Sequence, residues 1–192
     1  MGTTQPIRDA ENLTLFIDYY KNVHPNLRNY TLIQLGLHTA LRISDLLALR
    51  WQDVFGEQEG KCRAHVCVIE KKTQKRNKIA LCPLVQETIE QFHAKLRPFP
   101  KDYIFSRTTD RGVPLSRSQA YRIVRTAAEN AIHASHISCH SLRKTFGYHA
   151  WKQGVPPAML MDIFNHSSYE VTKRYLGISQ DERDSVFLQV KL

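Results

Sequence analysis

The chain has 192 residues, 42% of them hydrophobic, enough to bury a core in one domain without disulfide or metal staples. Its formal net charge is +9; that balance says little about fold and favours a polyanionic partner, either nucleic acid or an anionic membrane surface. No apolar run reaches the roughly 18 residues that a membrane-spanning helix needs, and the start, MGTTQPIRDAENLTLF, lacks the basic region and apolar block of a secretory signal. Pro6 also stands where an N-myristoylation signal has Ser or Thr.

In AENLTLFIDYYKNV, Leu13, Phe16, Ile17 and Tyr20 recur at helical spacing and predict an amphipathic helix. NYTLIQLGLHTALR is apolar nearly throughout, as a buried helix would be. SDLLALRWQDV opens on Ser44, a good N-cap, and directs Leu46, Leu47 and Leu49 inward. The texture then changes. AHVCVIE and NKIALCPL are short and rich in β-branched and apolar residues, and the polar KKTQKRNK between them predicts a β-hairpin with a longer turn than the tightest type. From Lys61 to Lys78 there are seven Lys or Arg and one acidic residue, Glu70. Such a run is either a solvated tip or a probe for a DNA groove and its phosphates.

Helical patterns resume with VQETIEQFHAKL. A Pro-rich connection, RPFPKDYIFSRTTDRGVPL, leads to SRSQAYRIVRTAAENAI, where Ala120, Ile123, Val124, Ala127 and Ala128 form an apolar stripe. Arg117, Tyr121 and Arg125 lie on another face at i, i+4 and i+8, a pattern that suits DNA contact and a solvated face equally. HSLRKTFGYHAWKQG predicts a helix ended by Gly154, PPAMLMDIFNH one that starts on prolines, and SSYEVTKRYLG one with a serine cap and a closing Gly177. The tail, SQDERDSVFLQVKL, is polar and then apolar. Together these predict an α+β fold, mainly α-helical, with a small antiparallel β-hairpin or sheet.

Cys62, Cys67, Cys82 and Cys139 form no C-x-x-C pair and suggest no disulfide framework, so a reducing cytosol is the simplest home. CRAHVC lacks a second ligand pair at finger-like spacing and reads as a strand with small apolar thiols rather than a zinc site. There is no phosphate-binding glycine loop, no H-E-x-x-H and no acidic cluster that would hold magnesium, so no cofactor and no metal is expected. What the chain offers is Arg, Lys, His and Tyr. His140 and Arg143 sit three apart and share a face at a helix start. Arg143 can fork two hydrogen bonds onto phosphate oxygens, and His140 can move a proton near neutrality. A lone H-x-x-R is more often a surface pair.

The order of the motifs changes that balance. TALRISDL (Thr39 to Leu46), the basic hairpin with Lys72, HSLRKT (His140 to Thr145) and FNHSSYEVTKRY (Phe164 to Tyr175) follow one another. From about residue 25 to 178 the chain resembles the catalytic domain of the tyrosine recombinases, or phage integrase family, whose boxes read roughly T-G-L-R-x-S-E-L, H-x-L-R-H/K-T and L-G-H-x-S/D-x-x-x-T-x-x-Y. Ala40 replaces the usual Gly of the first box and Phe164-Asn165 the Leu-Gly of the third; Lys144 stands where many relatives have His. The resemblance implies that fold, and it implies roles. Tyr175, nine residues after His166, would attack a DNA phosphodiester to form a 3′-phosphotyrosyl bond. Arg42 and Arg143 would clamp the non-bridging oxygens. His140 would assist proton transfer, Lys72 would be the general acid for the 5′-oxygen, with Lys71 and Lys75 as close competitors, and His166 would donate to the phosphate. Tyr169 has no matching role and is expected to pack or face solvent.

DNA contacts are expected from Lys71, Lys75 and Arg76 on the hairpin, from Arg117, Tyr121 and Arg125, and from Lys144, Lys173 and Arg174. The implied partner is double-stranded DNA with specific recombination sites, met by a homo-oligomer that is a tetramer in synapsis, with accessory DNA-bending proteins and no membrane. The implied location is the cytoplasm of a bacterium, on the nucleoid. The first box starts by residue 39, leaving no room for the N-terminal core-binding domain of most integrases, so the chain resembles the short members such as fimbrial invertases, or is an excised fragment. Residues 1–178 are expected to be the catalytic domain, and 179–192, with Val186, Phe187, Leu188 and Val190, a tail that docks on a neighbouring protomer. Two rival readings share the fold. Against a type IB topoisomerase stands the recombinase spacing of the boxes; against a silent DNA-binding regulator stands the intact set of six groups.

Overall fold

The computed structural model describes residues 4–56, 58, 60–176 and 187–190, the side chain of Arg174 excepted. Helix α1 (Ala10–Asp18) is capped by Asp9, whose carboxylate accepts from Asn12 N at 2.8 Å. It runs straight into a π-helical turn, Tyr19–Val23. The wider turn rotates the face, so Tyr19 is buried together with Phe16 and Tyr20, while Leu13 and Ile17 pack at the core's edge.

Helix α2 (Leu27–Thr39) is the hub, buried on almost every side from Asn29 to Leu37. It packs on α5 (Pro83–Leu96) and α7 (Cys139–Lys152). Gly36 permits the second contact: a Cβ there would stand 2.6 Å from Leu142 Cδ1. The helix stops at Ala40 in the left-handed region, φ 54°. Arg42 is then extended, so helix α3 (Ile43–Leu46) begins one residue before Ser44. Ser44 is therefore no N-cap; it lies inside the first turn, its hydroxyl 3.4 Å from Asp45 Oδ1. Leu46, Leu47 and Leu49 are buried as expected, and a separate short helix, α4 (Trp51–Val54), follows.

Two small antiparallel sheets come next. Strand β1 (Phe55–Gly56) pairs with β2 (Lys61–Cys62), a pairing too short to announce itself in sequence. It places Cys62 and Cys67 on different strands. The expected hairpin is β3 (His65–Ile69) with β4 (Arg76–Ala80), in register His65 with Ala80 and Ile69 with Arg76. Arg76 thus opens β4 rather than sitting in the turn. Val66 and Val68 point inward, Cys67 and Ile69 outward.

Helix α6 (Arg117–Ile132) starts with a capping box between Ser116 and Gln119. It buries the stripe Ala120, Ile123, Val124, Ala127 and Ala128 and packs against α1. Gly154, at φ 88°, lies just past the end of α7. Helices α8 (Pro157–Ile163) and α9 (Tyr169–Leu176) pack on α7 and on each other. They form a second, smaller apolar cluster of Ala40, Leu160, Phe164 and Leu176 with Phe146, Trp151 and Tyr175 against it. Gly147 makes it possible, because a Cβ there would stand 2.6 Å from Phe164 Cζ and 2.9 Å from Leu176 Cδ2. The N-terminal segment straps α7: Ile7 N donates to Thr145 Oγ1 at 2.9 Å, and His149 Nε2 lies 2.9 Å from Ile7 O. Phe187, Leu188 and Val190 are exposed; Gly177 and Val186 lie outside the described residues.

Candidate active site

The site forms where the end of α2, the β3–β4 turn, the start of α7 and the α8–α9 turn meet. Arg143, near the start of α7, is 3% exposed. Its guanidinium donates to Ala40 O, and through Nη2 to Phe164 O at 2.7 Å. Arg42 also reaches Phe164 O, through Nη2 at 3.4 Å, so one carbonyl aligns both guanidiniums. The left-handed residues explain how. Ala40 at φ 54° and Asn165 at φ 50° turn these carbonyls toward the arginines. Both stand where the family has Gly, and each carries the conformational cost of a Cβ there. Asn tolerates that region better than most residues.

Tyr175 lies on α9, with Thr172 and Leu176 on the same inward face. Its ring meets His140 edge-on at 5.0 Å, His166 at 4.9 Å and Phe164 at 5.0 Å between centroids. Its hydroxyl is buried beside Arg143 and, among the described residues, makes no hydrogen bond of good geometry. Burial pushes the phenol up to about 12 against the opposing pull of Arg143 and Arg42. Lys144 Nζ stands 5.5 Å from the ring centre and donates to Thr4 O at 2.7 Å. Tyr169 is exposed.

His140 presents an exposed edge to the cleft, yet the protein around its ring and then Lys144, Arg143, Arg42 and Lys72 push it down to about 4. Desolvation, followed by Arg143, Arg42, His140 and Lys72, brings His166 to about 4 as well. Both rings are therefore neutral at pH 7. His166 Nδ1 lies 3.0 Å from Thr172 Oγ1. Because the unfolded chain's histidines titrate near 6.5, it binds protons more readily than the folded protein between about pH 6.5 and 4, and acidification across that window favours unfolding. The urea midpoint is expected to fall over this range. By NMR, both histidines should titrate well below 6.5 in the free protein and move upward when a DNA duplex brings phosphate to the site. A free-protein midpoint at or above 6.5 would contradict this electrostatic picture.

The arginines open onto a cleft of about 450 Å³ lined by Arg42, Ser44, Lys71, Lys72, Arg117 and His140, among others. Lys71 and Lys72 both face it, and Lys75 is not in its lining. Lys72, unlike Lys71, acts electrostatically on both histidines. Tyr121 is exposed on α6. Arg125 beside it is engaged with Glu129, Tyr121 Oη and Ser135 O, so its charge is largely committed within the fold. Lys75 and Arg76 are exposed on the hairpin, and Lys173 is half-buried on α9. The side chain of Arg174 lies outside the described set.

Three further side chains belong to the site. Thr172 supports His166. Asp45, 2% exposed, accepts from Lys71 N at 3.0 Å and fixes the lysine turn by its backbone. Glu70, 1% exposed, pairs with Arg42 and accepts from Thr73 Oγ1 at 2.7 Å and Asn165 Nδ2 at 3.0 Å. Thr172 and Asp45 sit inside the first and third boxes; the signal for Glu70 was its being the one acid in a basic run. Among the described residues no group of three or more His, Cys, Asp or Glu is placed to hold a metal ion, and no helix is long and apolar enough to cross a membrane.

Arg42, Arg143, His140 and the lysine turn line one cleft, and the Tyr175 ring packs against His140 and His166 beside it; the fold and this grouping are those of a tyrosine recombinase catalytic domain. The chain belongs to the phage integrase family, whose profile matches residues 8–182. It is 38% identical over 181 residues to the probable integrase/recombinase YoeC of Bacillus subtilis, covering 94% of this chain and 93% of that one. It is 31% identical over 155 residues to the type 1 fimbriae regulatory protein FimE of Escherichia coli, covering 77% and 73%. Of other curated relatives, named tyrosine recombinases, it spans about half the length, 52%. The crystal structure of XerA recombinase shares the fold, with a TM-score of 0.76 at 19% identity, over 98% of this chain and 66% of that one.

Proposed function

We propose that the protein cuts and rejoins double-stranded DNA at specific sites through a 3′-phosphotyrosyl intermediate, the chemistry of integration, excision or inversion. The observation that carries this reading is Tyr175, its hydroxyl buried beside Arg143 with no hydrogen bond of good geometry among the described residues, and its ring edge-on to His140 and His166. An unsatisfied buried hydroxyl costs about 1–3 kcal/mol, and an entering phosphodiester relieves it. Arg42 and Arg143 hold the non-bridging oxygens where negative charge builds. His166 donates a hydrogen bond from Nε2 to the phosphate, in the tautomer whose Nδ1 accepts from Thr172 Oγ1, 3.0 Å away. As Tyr175 Oη bonds to phosphorus, its proton passes to neutral His140. The bond from phosphorus to the 5′-oxygen breaks, and Lys72 protonates the leaving oxygen. Rejoining reverses these steps: the 5′-hydroxyl attacks the phosphotyrosine, and bond energy is retained without a nucleotide cofactor.

Residues 1–178 act as the catalytic domain. The lysines of the hairpin turn, Arg76 and Arg117 line the approach to DNA, and the work takes place in the bacterial cytoplasm. Protomers assemble on DNA as a tetramer at synapsis, with DNA-bending proteins assisting, and the tail from residue 179 docks on a neighbour; exposed Phe187, Leu188 and Val190 support this. Deleting residues 180–192 is expected to abolish assembly on DNA in gel-shift and cross-linking assays while thermal unfolding stays cooperative. Unchanged assembly would sink the tail's role. The function itself is tested by incubating the protein, in EDTA, with nicked duplexes from DNA flanking its gene. A detergent-stable protein–DNA adduct is expected; its absence on every flanking site, or its dependence on magnesium, defeats the proposal.

A further inference from the structure

An acidic side chain is out of place in a pocket for a phosphodiester. Any anion beside Arg42 weakens the attraction of that guanidinium for phosphate, and the fixed charges lining the cleft, Arg42, Lys71, Lys72, Arg117 and Arg143, are all cations. Yet Glu70 is 1% exposed, so its carboxylate is a built part of the interior rather than a surface charge. It is ionised: burial works to raise its pKa, but hydrogen bonds from Thr73, Asn165 and Arg42 outweigh burial and hold it below the usual carboxylate range.

Its three partners come from three parts of the site. Arg42 is the first-box arginine. Thr73 directly follows Lys72. Asn165 directly precedes His166 and holds the turn whose Phe164 carbonyl receives both arginines. The backbone of Glu70 also closes the lysine turn: its N–H donates to Lys75 O at 3.0 Å, and its carbonyl accepts from Gln74 N at 2.8 Å.

We propose that Glu70 is a positioning residue for DNA cleavage, whose carboxylate fixes the direction in which Arg42 meets the phosphate and ties the Lys72 turn to the Asn165–His166 turn. This rests on the function proposed above. The physical logic is that an arginine and a lysine on a hairpin turn have many rotamers, whereas in-line displacement needs both charges within a fraction of an ångström of their places. A carboxylate with three donors on three segments fixes them before DNA arrives. It weakens phosphate binding and raises the fraction of bound complexes that are correctly arranged.

The test compares wild type, Glu70→Ala and Glu70→Gln on a nicked duplex. Single-turnover cleavage is measured at saturating protein, Kd by fluorescence anisotropy, and melting alongside. Glu70→Ala is expected to bind DNA as tightly as wild type or more so, because an anion has left, and to cleave about thirtyfold more slowly or worse. Glu70→Gln keeps an acceptor for Arg42 and, once the Asn165 amide turns over, the links to Thr73 and Asn165; it is expected to recover most of the rate. Cleavage by Glu70→Ala within twofold of wild type overturns the proposal. So does a loss of DNA affinity that matches its loss of rate, or a Glu70→Gln protein no faster than Glu70→Ala. If Glu70→Ala does not fold, Thr73→Val removes the link to Glu70, and with it the 3.4 Å bond from Lys75 N, without changing side-chain shape. It should cleave about fivefold more slowly at unchanged Kd, and a rate within twofold of wild type overturns the proposal equally. No adduct from wild type would instead mean that the function itself is misread, whereas a normal adduct from wild type and variants alike removes only the role of Glu70.

Discussion

Tyr175→Phe is expected to form no covalent adduct with DNA, a loss of at least about ten-thousandfold in cleavage rate, while folding and binding DNA normally. The substitution removes one oxygen. That oxygen is buried beside Arg143 and, among the described residues, makes no hydrogen bond of good geometry, so its loss removes at most a weak contact together with a poorly satisfied polar group. The melting temperature should stay equal or rise slightly, and the affinity for a duplex should not fall. Chemistry, in contrast, loses its only route through this residue. With its pKa pushed up to about 12, Tyr175 is a neutral phenol at pH 7, and in the proposed reaction it becomes a nucleophile only in a transition state that hands its proton to His140. Phenylalanine has no proton to give and no oxygen to bond to phosphorus. Tyr169→Phe, on an exposed ring of the same helix, is the matched control and should cleave like wild type. Any residual adduct from Tyr175→Phe, mapped to another residue, would move the nucleophile elsewhere.

Which parts of this were legible in the sequence follows from the range of the interactions. The helix of the second box and the hairpin came from local periodicity, and the structure has both; the choice of Tyr175 over Tyr169 came from the resemblance, and the structure sets the Tyr175 ring beside His140 and His166. Periodicity failed where the backbone departs from its standard period. The π-helical turn at Tyr19–Val23 adds Tyr19 to the buried face. The left-handed Ala40 shifts the next helix start to Ile43, which overrides the capping preference of Ser44. The two-residue strands of the first sheet carry too little alternation to be seen. The Glu70 cluster joins residues 42, 70, 73 and 165, and such contacts exist only after the chain has folded. A lone acid in a basic run was visible; what it touches was not. Charge spacing on α6 gave three candidate DNA contacts but could not reveal that Arg125 is tied to Glu129 and Ser135.

The two arginines of the clamp are expected to respond differently, and Arg143 more severely. Arg42 keeps part of its side chain, 18%, open to solvent and is held by Glu70; a lysine there can keep the ion pair and some attraction for phosphate. Arg143 is 3% exposed and joins two segments, the end of α2 through Ala40 O and the α8–α9 turn through Phe164 O, with its guanidinium 4.8 Å from the Phe164 ring centre. Lysine cannot span two carbonyls and a phosphate with one point charge. Arg143→Lys should therefore fold but cleave at least about a hundredfold more slowly, the usual cost of losing one pre-organised donor to a developing charge. Arg143→Ala adds a structural loss: Ala40 O without a donor, Phe164 O left with only the 3.4 Å bond from Arg42, and a void beside Phe164, together about 2–4 kcal/mol of stability. A surface ion pair would give about 0–1 kcal/mol, so urea unfolding separates the two cases cleanly. Cleavage by Arg143→Lys within tenfold of wild type would mean that Arg143 only braces the turns, and that Arg42 alone meets the phosphate.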